Sequence, residues 1–143
     1  MKKWTKIELA YAAGFVDGEA YIQIKRHRKT GNFIDTIRIG QTNREILDYL
    51  RSLFGGSVHV MTKAHGNTRQ AWVLVIPSKM AEDFIRAIFP YLRVKRRQAR
   101  IFLSYRKRIR TRYYGNLPLT KLEIALRLEM ISMMKRLNKR GAL

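Results

Sequence analysis

Near the N-terminus, the run Ala12-Ala13-Gly14-Phe15-Val16-Asp17-Gly18-Glu19-Ala20 carries two carboxylates separated by a single glycine. Carboxylates are hard oxygen ligands suited to Mg²⁺ or Ca²⁺. The chain has no cysteine, which removes disulfides, thiolate metal sites and thiol nucleophiles together. Ala10, Ala13 and Gly14 form a small-residue stripe along which two helix backbones can approach closely. Gly18 lets the helix end sharply, so Glu19 projects from that end, immediately before the next element. Two such helices about a two-fold axis bring two acidic residues together, an arrangement suited to paired divalent ions. The competing reading is plainer: the small residues pack in a core, and Glu19 is a surface helix end.

Charge narrows the partners. Against 30 Lys and Arg stand 10 Asp and Glu, a net charge of +20. A field of that size repels itself unless a polyanion or counterions neutralise it, and nucleic acid is the obvious polyanion. A ribosomal-type RNA binder and a generally basic surface share this signature. Hydrophobic residues make up 46% of the 143-residue chain, enough for the core of one domain spanning 1–143. Glu8, Asp17 and Glu19 break the apolar N-terminal run, and no stretch reaches membrane-spanning length. The expectation is a soluble protein with no membrane partner.

The elements that must position these residues have local signatures. Thr5 with Glu8, Thr42 with Glu45, and Thr120 with Glu123 match the Ser/Thr-x-x-Glu capping box. Pro77-Ser78, followed by Glu82 and Asp83, marks a fourth helix start. Residues 21–29 put Ile22 and Ile24 on one strand face and Tyr21, Gln23, Lys25, His27 and Lys29 on the other. A turn at Thr30-Gly31-Asn32 returns the chain, with Phe33, Ile37 and Ile39 opposite Asn32, Thr36 and Arg38. After a helix stop at Gly55-Gly56, Val58 and Val60 oppose His59, Met61 and Lys63. Gly66-Asn67 then turns the chain into a strand with Trp72, Leu74 and Ile76 opposite Arg69, Ala71 and Val73.

The expected order is αββαββα, an α+β fold of two similar halves with extra C-terminal helices. Its antiparallel sheet is covered on the Ile/Val/Trp face and bare on the Gln/Lys/Arg/His face. A two-stranded ribbon of that width fits the DNA major groove. Residues 93–112 form a basic amphipathic helix with Ile101, Phe102, Tyr105 and Ile109 inward and cations such as Arg108 and Arg110 towards phosphates. A last helix, 119–137, carries an apolar stripe of Leu122, Leu126, Met130, Met133 and Leu137.

The segment 12–20 resembles the motif of the LAGLIDADG homing endonucleases, in its A-G-F-V-D-G-[DE] variant. Ala12 replaces the first Leu and Ala20 the final Gly. Ile39-Gly40-Gln41-Thr42-Asn43-Arg44-Glu45-Ile46-Leu47 looks like that family's strand-to-helix junction. Pro90-Tyr91-Leu92-Arg93-Val94-Lys95-Arg96-Arg97-Gln98-Ala99 resembles the segment ending in L-x-x-K-x-x-Q-A. The resemblance covers about residues 5–105; basic and C-terminal helices occupy about 93–140.

The resemblance implies a homodimeric, intron-encoded type of enzyme that cuts double-stranded DNA at a long pseudo-palindromic site, hydrolysing one phosphodiester per strand. Glu19 and the Gly18 carbonyl would hold Mg²⁺, with Mn²⁺ able to substitute and Ca²⁺ supporting binding without cleavage. Gln41 would orient water, and Lys95 and Arg44 would stabilise transition-state charge. DNA contacts fall on Gln23, Lys25, His27, Lys29, Asn32, Thr36, Arg38, His59, Met61, Lys63, Arg69, Val73, Arg108 and Arg110. The dimer interface falls on Ala10, Ala13, Gly14 and Asp17. A non-cutting or dual-role binder of nucleic acid, such as an intron RNA maturase, is the alternative.

Overall fold

The computed structural model describes residues 3–111 and 118–139, without the side chains of Arg110 and Thr111. The chain runs α1 (Lys6–Glu19), β1 (Ala20–Arg26), β2 (Phe33–Gln41), α2 (Arg44–Phe54), β3 (Ser57–Thr62), β4 (Ala71–Pro77) and α3 (Ser78–Ile88). A 3₁₀ turn at Phe89–Tyr91 leads to α4 (Arg96–Thr111) and then α5 (Lys121–Asn138). The expected αββαββα order and the extra helices are both present. The four strands form one antiparallel sheet in the order β1-β2-β4-β3.

Burial follows the strand alternation. Ile22, Ile24, Ile37, Ile39, Leu74 and Ile76 form one face and join a core with Leu47, Leu50, Phe84, Ile85, Ala99 and Phe102 from the helices. Ordering these aliphatic side chains against the helices sets the register, because a one-residue slip would turn them to the opposite face. Gly55 and Gly56 end α2 at φ 83 and 98. A Cβ on Gly56 would lie 2.5 Å from the Val75 carbonyl oxygen, so both the turn and the close approach of β4 require glycine there.

Several boundaries differ from the sequence reading. Thr5 and Glu8 form the full capping box. Asn43, one residue after Thr42, caps α2 by accepting the Ile46 N–H. α3 has no side-chain cap, and Ser78 sits at φ 44. Glu82 does not serve the α3 N-terminus: it is buried and binds Arg86 and Arg106. The first hairpin turns earlier than expected, because the His27 N–H donates to Asn32 O and the Gly31 N–H to His27 O. His27, Lys29 and Asn32 therefore lie in the turn and not on the strands. The Gly66-Asn67 turn is closed by paired hydrogen bonds between His65 and Thr68.

The C-terminal helices need the largest correction. The buried face of α5 is Glu123, Arg127, Ile131 and Met134, whereas Leu122 is 70% exposed and Met133 is also exposed. Thr120 does cap α5, but the Glu123 carboxylate points away to Arg108 and Arg127. The α4 helix packs on the covered side of the sheet through Ala99, Phe102 and Tyr105. Its basic residues are thus partly structural. Arg106 reaches Asp35 of β2 and Glu82 of α3, and Arg108 donates twice to Glu123. Arg108, expected to face phosphates, is paired with Glu123 while its side chain stays 35% exposed; the Arg110 side chain and Arg112 lie outside the described residues.

Candidate active site and nucleic-acid face

The site begins at the end of α1. Ala12, Ala13 and Val16 are fully buried in the chain's own core, so Ala13 does not belong to an exposed stripe. The outer face presents Ile7 (82% exposed), Ala10, Tyr11 (47% exposed), Gly14 and Gly18. A Cβ built on Gly14 or Gly18 meets nothing within 4 Å. The small residues on this face therefore leave room that no other part of the described chain fills.

Asp17 faces inward across the chain. Its carboxylate accepts the N–H groups of Arg93 (2.8 Å), Val94 (3.1 Å) and Lys95 (2.9 Å), just ahead of α4. Asp17, expected at a dimer interface, ties two distant segments of its own chain. Lys95 Nζ in turn donates to the Val16 carbonyl at 2.9 Å and to that of Ala20. Carbonyls at a helix C-terminus carry partial negative charge and suit an ammonium. Burial nevertheless pushes Lys95 below the ordinary lysine value, against the attraction of Asp17 and Glu19. The fold thus brings Lys95 into the electrostatic neighbourhood of Glu19.

Glu19 is exposed, and among the described residues no donor hydrogen-bonds its carboxylate. Nor do three His, Asp or Glu side chains come together anywhere among them. A hard carboxylate with no hydrogen-bond donor among the described residues, beside a glycine carbonyl, fits part of a divalent-ion site. Glu19 and the Gly18 carbonyl of one chain offer only part of the oxygen ligand set of such an ion.

Gln41 ends β2, half-buried and paired with Trp72. Ala20 lies opposite Ile39, so Gln41 stands two residues beyond the β1 junction, at the end of the sheet where α1 terminates. Arg44 lies three residues beyond Gln41. It opens α2, with Nε 3.5 Å from Asp48 one turn along the same helix.

The open face carries Tyr21, Gln23 and Lys25 on β1, Arg38 on β2, and His59 and Met61 on β3. Tyr21 pairs with Arg38, and Ser57 Oγ lies 2.8 Å from His59 Nε2. Met61 covers Gly40, whose added Cβ would fall 3.0 Å from the methionine methyl. Lys63 and Arg69 are exposed in the loop between β3 and β4. Thr36 and Val73 share this face by alternation but are only 7% and 4% exposed, so they offer almost no surface for contact. Tyr21, placed on this face by the strand alternation but not among the expected DNA contacts, is 43% exposed.

No family model and no curated protein matches the chain. Solved structures do. The archaeal intron-encoded homing endonuclease I-Vdi141I, solved with DNA, has a TM-score of 0.74 at 19% identity over 94% of this chain and 86% of its own. The homing endonuclease I-CvuI, in complex with its target, gives 0.69 at 19% over 94% and 85%. The homing endonuclease I-TnaI gives 0.59 at 26% over 94% and 90%. Other matched chains are about twice as long, this chain covering 43% to 47% of them. The fold is that of the LAGLIDADG homing endonucleases.

Proposed function

We propose that this protein is a homodimeric, site-specific DNA endonuclease that hydrolyses one phosphodiester on each strand of a long, pseudo-palindromic site. The observation that carries this reading is the meeting of Glu19 and Lys95 at the end of α1, beside a sheet whose open face is basic. The exposed small-residue face of α1 supports pairing of two copies, as does the existence of matched chains about twice this length. I-CvuI has been solved on DNA in the presence of Ca and of Mg, which supports a divalent requirement here.

In this reading Glu19 and the Gly18 carbonyl would hold a divalent ion, Mg²⁺ or Mn²⁺ for cleavage and Ca²⁺ for binding alone. The bound ion supplies a lowered water pKa and offsets charge on the leaving oxygen. Lys95, positive and shielded from solvent, stabilises charge on the phosphate being cut. Gln41 orients water through its amide. Arg44, half-exposed beside Asp48, would add to the charge stabilisation from Lys95. Lys25, Gln23, Arg38, His59 and Met61 meet base edges, while Lys63, Arg69 and the hairpin-turn residues meet the backbone.

The test is Glu19→Gln, which keeps size and hydrogen bonding but removes the ligand charge. Affinity for target DNA in Ca²⁺ should fall no more than a few-fold, whereas cleavage in Mg²⁺ should be lost. Cutting at the wild-type rate in this variant would place the metal elsewhere.

A further inference from the structure

We infer that Asp17 is the positioning residue that builds the active site, by latching the Lys95 segment onto the helix that carries Glu19. This rests on the nuclease reading for its consequence in catalysis, but the latch itself can be measured without cleavage.

The geometry is specific. Three successive N–H groups, of Arg93, Val94 and Lys95, converge on one carboxylate 76 to 78 residues away in sequence. Bonds from backbone N–H to an ionised carboxylate are the stronger, charge-assisted kind. They fix the backbone of residue 95, and the Lys95 side chain then turns back onto α1 at the Val16 and Ala20 carbonyls. The same helix turn holds Lys95 at both ends, by its N–H and by its Nζ. Glu19 lies two residues beyond Asp17, so the pair's separation is set by one turn of α1.

Among the described residues the segment is otherwise held only at its ends, where the Leu92 carbonyl accepts from the Arg96 guanidinium and the Lys95 carbonyl accepts the Ala99 N–H. Arg93 and Val94 are exposed, and the backbone between the 3₁₀ turn and α4 belongs to no helix or strand. Leu92 anchors one side in the core and Ala99 the other. Without the carboxylate, the N–H groups of residues 93–95 would lose their common acceptor while the flanking anchors stayed in place. The expected defect is local: a displaced Lys95 in a folded protein.

The isosteric change Asp17→Asn tests this, because an amide nitrogen now faces donors and the charge is gone. Acylation of Lys95 by a small amine-reactive reagent, followed by peptide mass spectrometry, should rise at least threefold relative to the other lysines. A Lys95 acylated at the wild-type rate in a folded variant overturns the latch. In the single-turnover assay, Asp17→Asn should cut at least tenfold more slowly while Ca²⁺-supported DNA affinity stays within about threefold. Added to Lys95→Met, it should cost no further activity, since it acts through that side chain. Multiplied losses in the double variant would show that Asp17 acts by another route. Should the wild-type protein cut no DNA, the nuclease reading fails while the acylation experiment still decides the latch. Asp17→Ala, with amide exchange at residues 93–95 as readout, covers the case in which the asparagine variant does not fold.

Discussion

Arg38 and Arg108 show why a cation's chemistry depends on where its element points. Arg38 stands on the open face opposite Tyr21, free to donate two parallel bonds to a guanine edge. Arg38→Ala should cost about 1–3 kcal/mol of discrimination at one base pair and leave other positions unchanged. Selection of binding sites from a randomised library reads this directly, and an unaltered preference would remove Arg38 from the reading set. Arg108 binds Glu123, whose carboxyl is held below its ordinary value: burial would raise it, but hydrogen bonds and attraction from Arg127 and Arg108 prevail. Arg108→Ala should lower stability by about 1 kcal/mol, because the pair is partly exposed, and leave DNA affinity nearly unaltered. A urea titration and a binding isotherm on the same protein check both halves. Neither Arg108's partner nor Asp17's was legible from sequence. Each lies far along the chain, and a carboxylate carries no local mark of which N–H it will accept. Glu19 was legible because its position at a helix end depends only on its neighbours.

Among the elements, α1 was read best and α5 worst, for one physical reason. Capping and small-residue spacing are local, and Thr5, Glu8 and Gly14 lie where spacing placed them. The buried face of α5 is not its most apolar one, since Glu123 and Arg127 are drawn inward by Arg108 and by the rings of Phe33 and Tyr105. Gly14→Leu should disrupt dimers by overpacking the helix contact. A side chain at Gly14 meets open space within its own chain, so the variant should stay folded. Sedimentation showing a wild-type dimer in a folded variant would remove α1 from the interface. A second prediction concerns the joint of β2, α3 and α4, where Arg106 bridges Asp35 and Glu82. Burial raises the Asp35 carboxyl above its ordinary value, outweighing the Arg106 attraction. A raised carboxyl means that the folded state binds more protons than the unfolded one, so ionisation costs stability as pH rises. The stability of Asp35→Asn relative to wild type should therefore improve from pH 3.8 upward until Asp35 is fully ionised. A pH-independent difference in urea midpoints would contradict the raised value.

For the molecule as a whole, the element order was legible because apolar spacing in the two hairpins puts Ile22, Ile37, Leu74 and Ile76 on one face. The strand order β1-β2-β4-β3 depends on long-range pairing that spacing does not mark. What alternation could not show was depth: Thr36 and Val73 face the open side yet are covered. The net charge of +20 likewise overstates the free cations, since Arg106, Arg127 and Lys95 are engaged internally. DNA affinity should still fall steeply with salt, with a log–log slope on the order of −5 or steeper for a dimer with several phosphate contacts. A slope near zero would mean that the basic surface meets no backbone. One last feature concerns neither DNA nor catalysis. Asn138 donates from Nδ2 to the Ile22 carbonyl at 2.8 Å, and α5 packs along β1. The β1 strand is one margin of the sheet, and β3 is the other, where the register shifts between Val60 and Thr62. Unpaired strand margins invite chain-to-chain stacking into insoluble aggregates. One margin is covered by a helix and the other is irregular, so shortening α5 before Asn138 should open the β1 margin to that stacking.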